Sequence, residues 1–315
     1  MQILSIIIPC YNEEETVELF YRETEKIHNQ LGKYYFEYIF VNDGSTDNTL
    51  KKIKNLANIE KNVHYLSFSR NFGKEAAIYA GLKRATGDYV TVMDADLQDP
   101  PELLIEMLRI IHSDDFDCVG ARRISRQGES IVRSWFAKKF YQLINKIGEV
   151  EMVDGARDFR LMTRPMVNSI LELSEYNRFS KGIFAWVGYN TKYLTYENKE
   201  RIAGKTSWSF WGLFKYSIEG IINFSETPLN IASFIGAFSC FASIIAMIFI
   251  VLKTLIFKDP TSGWPSLVCI ILFIGGIQLL CLGILGKYIS RIFLETKKRP
   301  IYIIKEQDDH EWNNK

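Results

Sequence analysis

Residues Tyr89–Asp99 read YVTVMDADLQD, an apolar run that ends in two aspartates separated by one residue. The β-branched part, Tyr89–Met93, predicts a buried strand, and the helical pattern Pro101–Ile111 follows it closely. Asp94 and Asp96 would then lie on a sharp turn at the carboxyl end of a strand. Open sheets covered by helices bind ligands beyond that end of their strands, so this stretch predicts both the type of fold and the place of the site.

The same alternation of strand and helix runs through the N-terminal half of the chain. Strand candidates are Leu4–Pro9, Glu37–Val41 and Val63–Phe68, the helical patterns after them are Glu14–Leu31, Asp47–Asn55 and Glu75–Ala85, and a further strand candidate, Asp117–Gly120, follows the last helix. This order predicts an α/β domain with a mostly parallel, Rossmann-like sheet covered by helices on both faces. The carboxyl ends of its strands would share one edge.

Polar and glycine-containing sequences follow the strand candidates at that edge. They read PCYNEE from Pro9, NDGSTD from Asn42, RNFGK from Arg70 and GARR from Gly120. A rim that served the fold alone would need only turn formers and helix caps, a role that suits Asp47. Several acidic clusters together with several cations indicate a ligand site instead.

The residue types at this rim suggest nucleotide chemistry. Asp94 and Asp96 offer the hard oxygen ligands that Mg²⁺ or Mn²⁺ prefers, and such a metal would bind a diphosphate and stabilise charge on a departing nucleotide. The alternative, two aspartates that serve as turn former and helix cap, stays open. Asp43 could accept hydrogen bonds from a base or ribose. Tyr11 offers a ring for stacking on the base, although it could equally be a packed loop aromatic.

Two long apolar runs follow the soluble part. No charged residue occurs from Thr227 to Leu252 or from Pro265 to Gly286, and each run exceeds the roughly 20 residues that cross a bilayer as a helix. The alternative is a buried helix pair in a soluble protein. Lys253–Trp264 would form the turn, and the basic cluster Lys287–Arg299 predicts that both ends lie in the cytoplasm.

The segment before the first apolar run is aromatic over Trp208–Tyr216 and has apolar residues at helical spacing up to Ile222. This pattern predicts an amphipathic helix at the membrane interface, with an ordinary packed helix as the alternative. The expected division of the chain is a soluble domain over 1–205, a juxtamembrane segment over 206–226, two transmembrane helices within 227–290, and a cytosolic tail over 291–315 with a frayed end from Gln307.

Composition excludes several other classes of protein. The formal net charge is +1, which does not favour nucleic-acid binding. The five cysteines form no CxxC pair, so neither a disulfide framework nor a zinc site is expected. No signal peptide precedes the first strand candidate, and we therefore expect the soluble domain in the cytoplasm, attached to the plasma membrane.

Six motifs together resemble family-2 glycosyltransferases of the GT-A fold: PCYNEE (9–14), NDGSTDNT (42–49), RNFGKEAAIYAG (70–81), DADLQDPPE (94–102), GARR (120–123) and DFRLM (158–162). Followed by two membrane spans, they are similar to the polyprenyl-phosphate branch of that family, which includes dolichol-phosphate mannose synthase and bacterial undecaprenyl-phosphate glucosyltransferases. The resemblance extends over residues 3–300 and assigns the GT-A fold to residues 1–205.

The resemblance implies a role for each matching position. The nucleoside would be held by Pro9, Tyr11, Glu13 and Asp43, and the metal and sugar diphosphate by Asp94, Asp96 and Gln98. Asp158 matches the position of the family's catalytic carboxylate, and the resemblance implies that Asp96 is also catalytic. The phosphates of donor or acceptor would meet Arg122 and Arg201, and Arg201 opens the segment RIAGKTS (201–207), which resembles the mobile acceptor loop of the family. Ser207-Trp208 replaces the lysine that usually follows this threonine.

The implied reaction is inverting transfer of a hexose, from a UDP-sugar such as UDP-glucose, to undecaprenyl or another polyprenyl phosphate at the cytosolic membrane face. The same resemblance implies a homo-oligomer, for which a tetramer is one candidate state. Four alternatives stay open: a GDP-mannose-dependent mannose synthase, a processive polysaccharide synthase, for which the QxxRW motif is missing from the sequence, a sugar-phosphate nucleotidyltransferase, and a non-catalytic membrane scaffold.

Overall fold

The computed structural model describes residues 1–123, 145, 153–196, 225, 227–257 and 263–308. In chain order its elements are β1 (Gln2–Cys10), α1 (Val17–Gln30), β2 (Tyr34–Asn42), α2 (Thr49–Ile59), β3 (Val63–Phe68), α3 (Lys74–Arg84), β4 (Tyr89–Val92), α4 (Leu103–Ser113), β5 (Cys118–Arg123), β6 (Ala156–Thr163), α5 (Arg164–Glu172), α6 (Ser180–Trp186), β7 (Thr191–Tyr196), α7 (Thr227–Phe257), α8 (Trp264–Thr296) and β8 (Ile304–Gln307).

The strands form one sheet in the order β7-β5-β6-β4-β1-β2-β3-β8. The four central strands, β4, β1, β2 and β3, are parallel to one another, as the alternation of strands and helices predicts. β6 lies antiparallel between β4 and β5, and β8 lies antiparallel to β3. The predicted α/β fold is therefore confirmed, with antiparallel strands added on both sides of its parallel centre.

Two apolar clusters cover the two faces of this sheet. Along β1, Ile6 and Ile8 belong to the cluster under α1 and α4, whereas Ile7 belongs to the cluster under α3. Burial on both faces explains why β1 is apolar throughout, since parallel central strands lack a solvent face. Helix α3 approaches closely because Gly81 has no side chain: a Cβ there would lie 2.2 Å from Ile7 Cγ2.

Sequence reasoning missed β6, and this strand is decisive for the site. In its pairing with β4, Val92 stands opposite Arg160. Continuing that antiparallel register by two residues brings Asp158 opposite Asp94. An antiparallel neighbour begins where β4 ends, so the first residues of β6 join the same edge of the sheet as the carboxyl ends of the parallel strands.

Helices α7 and α8 contain the two apolar runs that predict membrane segments. The candidate spans are Thr227–Ala246 in α7 and Phe273–Thr296 in α8. Only 6% and 0% of the most apolar stretch of each span is buried within the protein. A buried helix pair of a soluble protein would instead cover its apolar side chains. Tyr288 Oη donates a hydrogen bond of 2.7 Å to the Ser225 carbonyl, which joins α8 to the residue before α7. The rest of the predicted juxtamembrane segment, 206–224, lies outside the described residues.

The expected tail, 291–315, contains regular structure in its first part. Helix α8 continues to Thr296, and residues 304–307 form β8, so Gln307, where the frayed end is expected to begin, still belongs to the sheet. Gln307 stands opposite Leu66 and Ile304 opposite Phe68. Without β8, β3 would present an unpaired edge, and the pairing satisfies its backbone groups. Residues 309–315 lie outside the described residues.

Candidate active site

Lys74 joins two of the predicted site carboxylates. Its Nζ lies 2.6 Å from Asp94 Oδ1 and 2.6 Å from Asp158 Oδ2. Burial favours the neutral carboxyl of Asp158, but Lys74 and Lys181 outweigh it and hold the Asp158 pKa well below its usual range. Burial also opposes the charge on Lys74, and the two carboxylates reverse that effect and raise its pKa. Lys74 and Asp158 are therefore both charged at neutral pH.

The turn after β4 presents the three predicted metal ligands on one side. Asp94, Asp96 and Gln98 are partly exposed, whereas Ala95 and Leu97 between them are buried. Leu97 adopts a left-handed backbone with φ of 54°, and the Gln98 N–H donates a 3.2 Å hydrogen bond to Asp96 Oδ1. The apolar side chains fix the turn in the core, and the polar ones face the site edge.

This donor set fits a divalent cation that shares a diphosphate. Within the part of the chain that the structure describes, no group of three or more His, Cys, Asp and Glu side chains is arranged to hold a metal by itself. Mg²⁺, however, is commonly bound by one or two carboxylates together with substrate phosphates. Asp94 and Asp96 supply such carboxylates, and the Lys74 ammonium beside Asp94 demonstrates that a positive charge is accommodated there.

Behind the turn lies a buried ion pair that sequence reasoning missed. Arg157 Nε donates to Asp99 Oδ1 at 3.1 Å, and Tyr196 Oη donates to the same oxygen. Burial raises the pKa of Asp99, and Arg157 opposes that shift. Arg157 also lies 3.5 Å from Gln98 Oε1, so one guanidinium holds the turn against β6. The only sequence feature that indicates a role for Arg157 is its position directly before Asp158.

Asp43 anchors the β3–α3 loop, residues 69–73. Its carboxylate is buried and accepts hydrogen bonds from the N–H groups of Phe72 at 2.6 Å and Gly73 at 2.9 Å. Burial raises the Asp43 pKa, while these two N–H groups lower it. Lys74 follows immediately, so Asp43 fixes the start of the helix that carries it. Contact of Asp43 with a nucleoside stays a prediction.

Gly44 allows the two loops to meet. Its φ is 66°, and a Cβ there would lie 2.4 Å from the carbonyl carbon of Arg70. Any side chain would both strain the backbone and displace the β3–α3 loop. The glycine of the NDGS sequence is therefore required by this close approach.

The predicted nucleoside residues line the ends of β1 and the loop after it. Pro9 lies in β1, and Tyr11 is 47% exposed, so that its ring is available for stacking. The Glu13 N–H donates to Thr49 Oγ1 at 2.8 Å, which ties this loop to the start of α2. Asn12 adopts a left-handed φ of 56°, and its side chain accepts a 2.9 Å hydrogen bond from the Thr46 N–H.

The structure describes one of the two predicted phosphate-binding arginines. Arg122 is exposed, and its Nε donates a 2.9 Å hydrogen bond to the Asp154 carbonyl. It pairs across the sheet with Ala156, two residues before Asp158. The structure therefore brings Arg122 to the site edge. Arg201 lies outside the described residues.

Helix α6 adds residues that the sequence did not single out. Glu75, next to Lys74, accepts a 2.9 Å hydrogen bond from the Ser180 N–H at the start of α6. Arg160 is buried, with its guanidinium 3.9 Å from the Phe184 ring. These contacts dock α6 against α3 and β6 and bring Lys181 close enough to lower the Asp158 pKa.

Comparison with known proteins gives a consistent family. Residues 5–171 match the model of Glycosyl transferase family 2. The chain is 47% identical over 304 residues to "Putative glycosyltransferase CsbB" of Bacillus subtilis, covering 96% of this chain and 92% of that one. It is 41% identical to "Bactoprenol glucosyl transferase" of Shigella phage SfX, covering 96% and 99%. A solved mannosyl-3-phosphoglycerate synthase from Rubrobacter xylanophilus aligns over 70% of this chain and 72% of its own, with 18% identity and a TM-score of 0.49.

Proposed function

The chain belongs to glycosyl transferase family 2, and from that premise we propose that it transfers glucose from UDP-glucose to a polyprenyl phosphate at the cytosolic membrane face. The relatives named bactoprenol glucosyl transferase support the glucosyl group and the lipid acceptor, because the similarity includes the two long apolar helices as well as the sheet. Undecaprenyl phosphate is the acceptor that we favour.

One observation carries the proposal of a lipid acceptor. The chain returns from α8 to the sheet at its ligand edge, since Ile304 pairs with Phe68 at the carboxyl end of β3. Thr296 and Ile304 are eight residues apart, which spans at most about 29 Å at ~3.6 Å per residue. Glu295 in the last turn of α8 also accepts a 3.0 Å hydrogen bond from the Tyr176 N–H. The site edge therefore lies near one end of a membrane helix, where a lipid phosphate would be found.

The metal role follows from the turn after β4. Asp94 and Asp96, with Gln98, would hold Mg²⁺ or Mn²⁺, which when bound stabilises negative charge on the departing nucleotide diphosphate. Lys74 contributes a further cation beside Asp94. Pro9, Tyr11, Glu13 and Asp43 would hold the nucleoside.

Asp158 has a different task from that of a strong base. A phosphate monoester has its second pKa near 6 and is already mostly ionised at neutral pH, so the acceptor needs little deprotonation. The ionised Asp158 would orient the acceptor and stabilise positive charge at the anomeric carbon, and Arg122 and Arg201 would hold the acceptor phosphate with their forked donors. The lipid phosphate oxygen forms a bond to the anomeric carbon while the bond to the nucleotide diphosphate breaks, which inverts that centre.

The proposed topology has two spans with both ends in the cytoplasm. Pairing of β8 with β3 supports it, because the end of α8 must then lie on the same side as the catalytic domain. The domain over 1–205 would be cytosolic, the segment 206–226 interfacial, and the helices within 227–290 would lie in the plasma membrane. We also propose a homo-oligomer.

A transfer assay tests the function. Purified protein is given undecaprenyl phosphate, Mg²⁺ or Mn²⁺, and labelled UDP-glucose, UDP-N-acetylglucosamine, UDP-galactose or GDP-mannose in separate reactions. We expect label from UDP-glucose in the organic phase, lost with chelator and in Asp96→Asn. Transfer from GDP-mannose alone would identify a mannose synthase, and biological activity that survives Asp96→Asn would support a scaffold. Retained anomeric configuration would overturn the direct displacement.

A further inference from the structure

The segment after helix α8 pairs with the edge strand β3. We call residues Ile301–Asp308 the C-terminal strap. Besides the pairing of β8, the Ser69 N–H donates a 3.0 Å hydrogen bond to the Ile303 carbonyl. The strap therefore extends the backbone pairing one residue beyond β3, into the β3–α3 loop.

Aromatic contacts continue from the strap to that loop. The Tyr302 ring stacks on Phe68, with ring centroids 5.0 Å apart and planes at 16°. Phe68 in turn meets the Phe72 ring edge-on at 5.8 Å. The backbone of Phe72 is held by Asp43, and Lys74 stands two residues later. A side chain of the strap thus supports the loop from which the site lysine emerges.

The far end of the strap is fixed independently of the loop. Asp308 is buried and lies with Oδ2 2.7 Å from His64 Nδ1, and its Oδ1 accepts a 3.1 Å hydrogen bond from the Tyr65 N–H. Glu306 pairs with Lys54 at 2.5 Å. The Asp308 contacts hold the strap towards the amino end of β3, remote from the site, whereas Glu306 stands opposite Ser67 and forms its ion pair with Lys54 of α2. The contacts of Asp308, Glu306 and Tyr302 can therefore be tested separately.

We propose that the C-terminal strap positions the β3–α3 loop, with Tyr302 as its positioning residue, and so couples the placement of Lys74 to the membrane helix α8. The proposal rests on the proposed function in one respect, that the Lys74 side chain serves the donor site. Tyr302 itself touches no reacting group.

Hydrogen exchange and donor kinetics on the full-length protein in nanodiscs test this coupling. In Tyr302→Ala we expect faster exchange of the Phe72 and Gly73 amides and a donor KM raised about three- to tenfold, the range expected for loss of one aromatic pair. Tyr302→Phe keeps the ring and should restore both values. Glu306→Gln is the control, because it breaks a partly exposed ion pair of the same strap and should change neither.

Each result decides the proposal. Unchanged amide exchange in Tyr302→Ala would overturn it, and so would an equal effect of Glu306→Gln, which would indicate general loosening of the strap. If Tyr302→Ala does not fold, Tyr302→Leu keeps an apolar side chain without a stacked ring and gives the same comparison. If the wild type transfers no sugar while Tyr302→Ala still shows faster amide exchange, the proposed function is refuted and the positioning role is supported.

Discussion

Lys74 Nζ and Asp158 Oδ2 lie 2.6 Å apart, although the two residues are 84 positions apart in the sequence. They meet because β6 enters the sheet antiparallel beside β4 and begins where β4 ends. Lys74 contacts Asp94 at the same distance. One ammonium thus stands between two carboxylates, which leaves a net negative charge that a divalent cation can compensate.

Removing the Lys74 ammonium should lower the stability of the protein when no divalent metal is bound. Lys74→Met leaves Asp94 and Asp158 close together without their cation. Breaking a buried ion pair costs about 3–5 kcal/mol, and the partial exposure of these groups reduces the expected loss to about 1–2 kcal/mol. Mg²⁺ should raise the Tm of the variant more than that of the wild type. Thermal unfolding with and without Mg²⁺ measures both effects.

The control for Lys74→Met is Lys192→Met. Lys192 pairs with Asp114 at 3.2 Å, and both side chains are more than 40% exposed. Surface pairs of this kind contribute about 0–1 kcal/mol, and this one lies away from the site. Equal losses of Tm in the two variants, or no added effect of Mg²⁺ in Lys74→Met, would contradict the charge relationship.

The Asp158 ion pair also predicts a pH dependence of stability. Burial raises the pKa of Asp158, but Lys74 and Lys181 lower it more, so the folded pKa is below the unfolded value of about 3.9. The stabilisation is therefore complete above the unfolded pKa and is lost as the pH falls through it towards the folded pKa. The difference in urea midpoint between wild type and Asp158→Asn should be constant from about pH 5 to 8 and shrink below about pH 4. A difference that changes near pH 6–7 would contradict this assignment.

The sequence predicts the parts of the site that follow a single buried strand. Alternation along YVTVMDADLQD, with apolar residues buried and Asp94, Asp96 and Gln98 on the accessible side, is a local pattern, and the structure has it. The sequence places Asp43 and Gly44 at this edge, but it predicts nucleoside contact for Asp43 and no role for Gly44. The anchoring by Asp43 and the close approach at Gly44 depend on a loop that follows another strand.

The missed elements depend on pairing between distant segments. β6 was recognised as a motif but not as a strand inserted between β4 and β5, because strand propensity carries no information on which neighbour a strand joins. The β8 sequence, IKEQ, is short and mostly polar, and only the open edge of β3 specifies its place. The sequence places Lys74 at this edge without indicating its role, because the direction of its side chain depends on both Asp94 and Asp158.

The anchoring of the β3–α3 loop gives a further prediction. In Asp43→Asn one of the two oxygens becomes an NH₂ group, which cannot accept a hydrogen bond from Phe72 or Gly73. Leaving one buried donor unsatisfied costs about 1–3 kcal/mol, and the loop should move. We expect a lower Tm and weaker binding of UDP, measured by calorimetry.

Asp88→Asn is the matched control for Asp43→Asn. Asp88 Oδ2 also accepts a backbone hydrogen bond, from the Ile3 N–H at 2.8 Å, but in an exposed setting at the opposite end of the sheet. We expect a small loss of stability and unchanged UDP binding. If both variants bind UDP as the wild type does, the Asp43 contacts serve stability alone.

Gly44 tests the close approach of the two loops most directly. Gly44→Ala forces a residue with a side chain into a left-handed backbone, which costs about 1–2 kcal/mol, and its Cβ would overlap the backbone at Arg70. We expect a clear loss of Tm together with weaker UDP binding, because the β3–α3 loop must shift. Gly32→Ala adds the same methyl group where nothing lies within 4 Å and should change neither value. Because the clash involves backbone atoms, no change of rotamer can relieve it. Wild-type UDP affinity in Gly44→Ala would therefore show that the position of this loop does not determine donor binding.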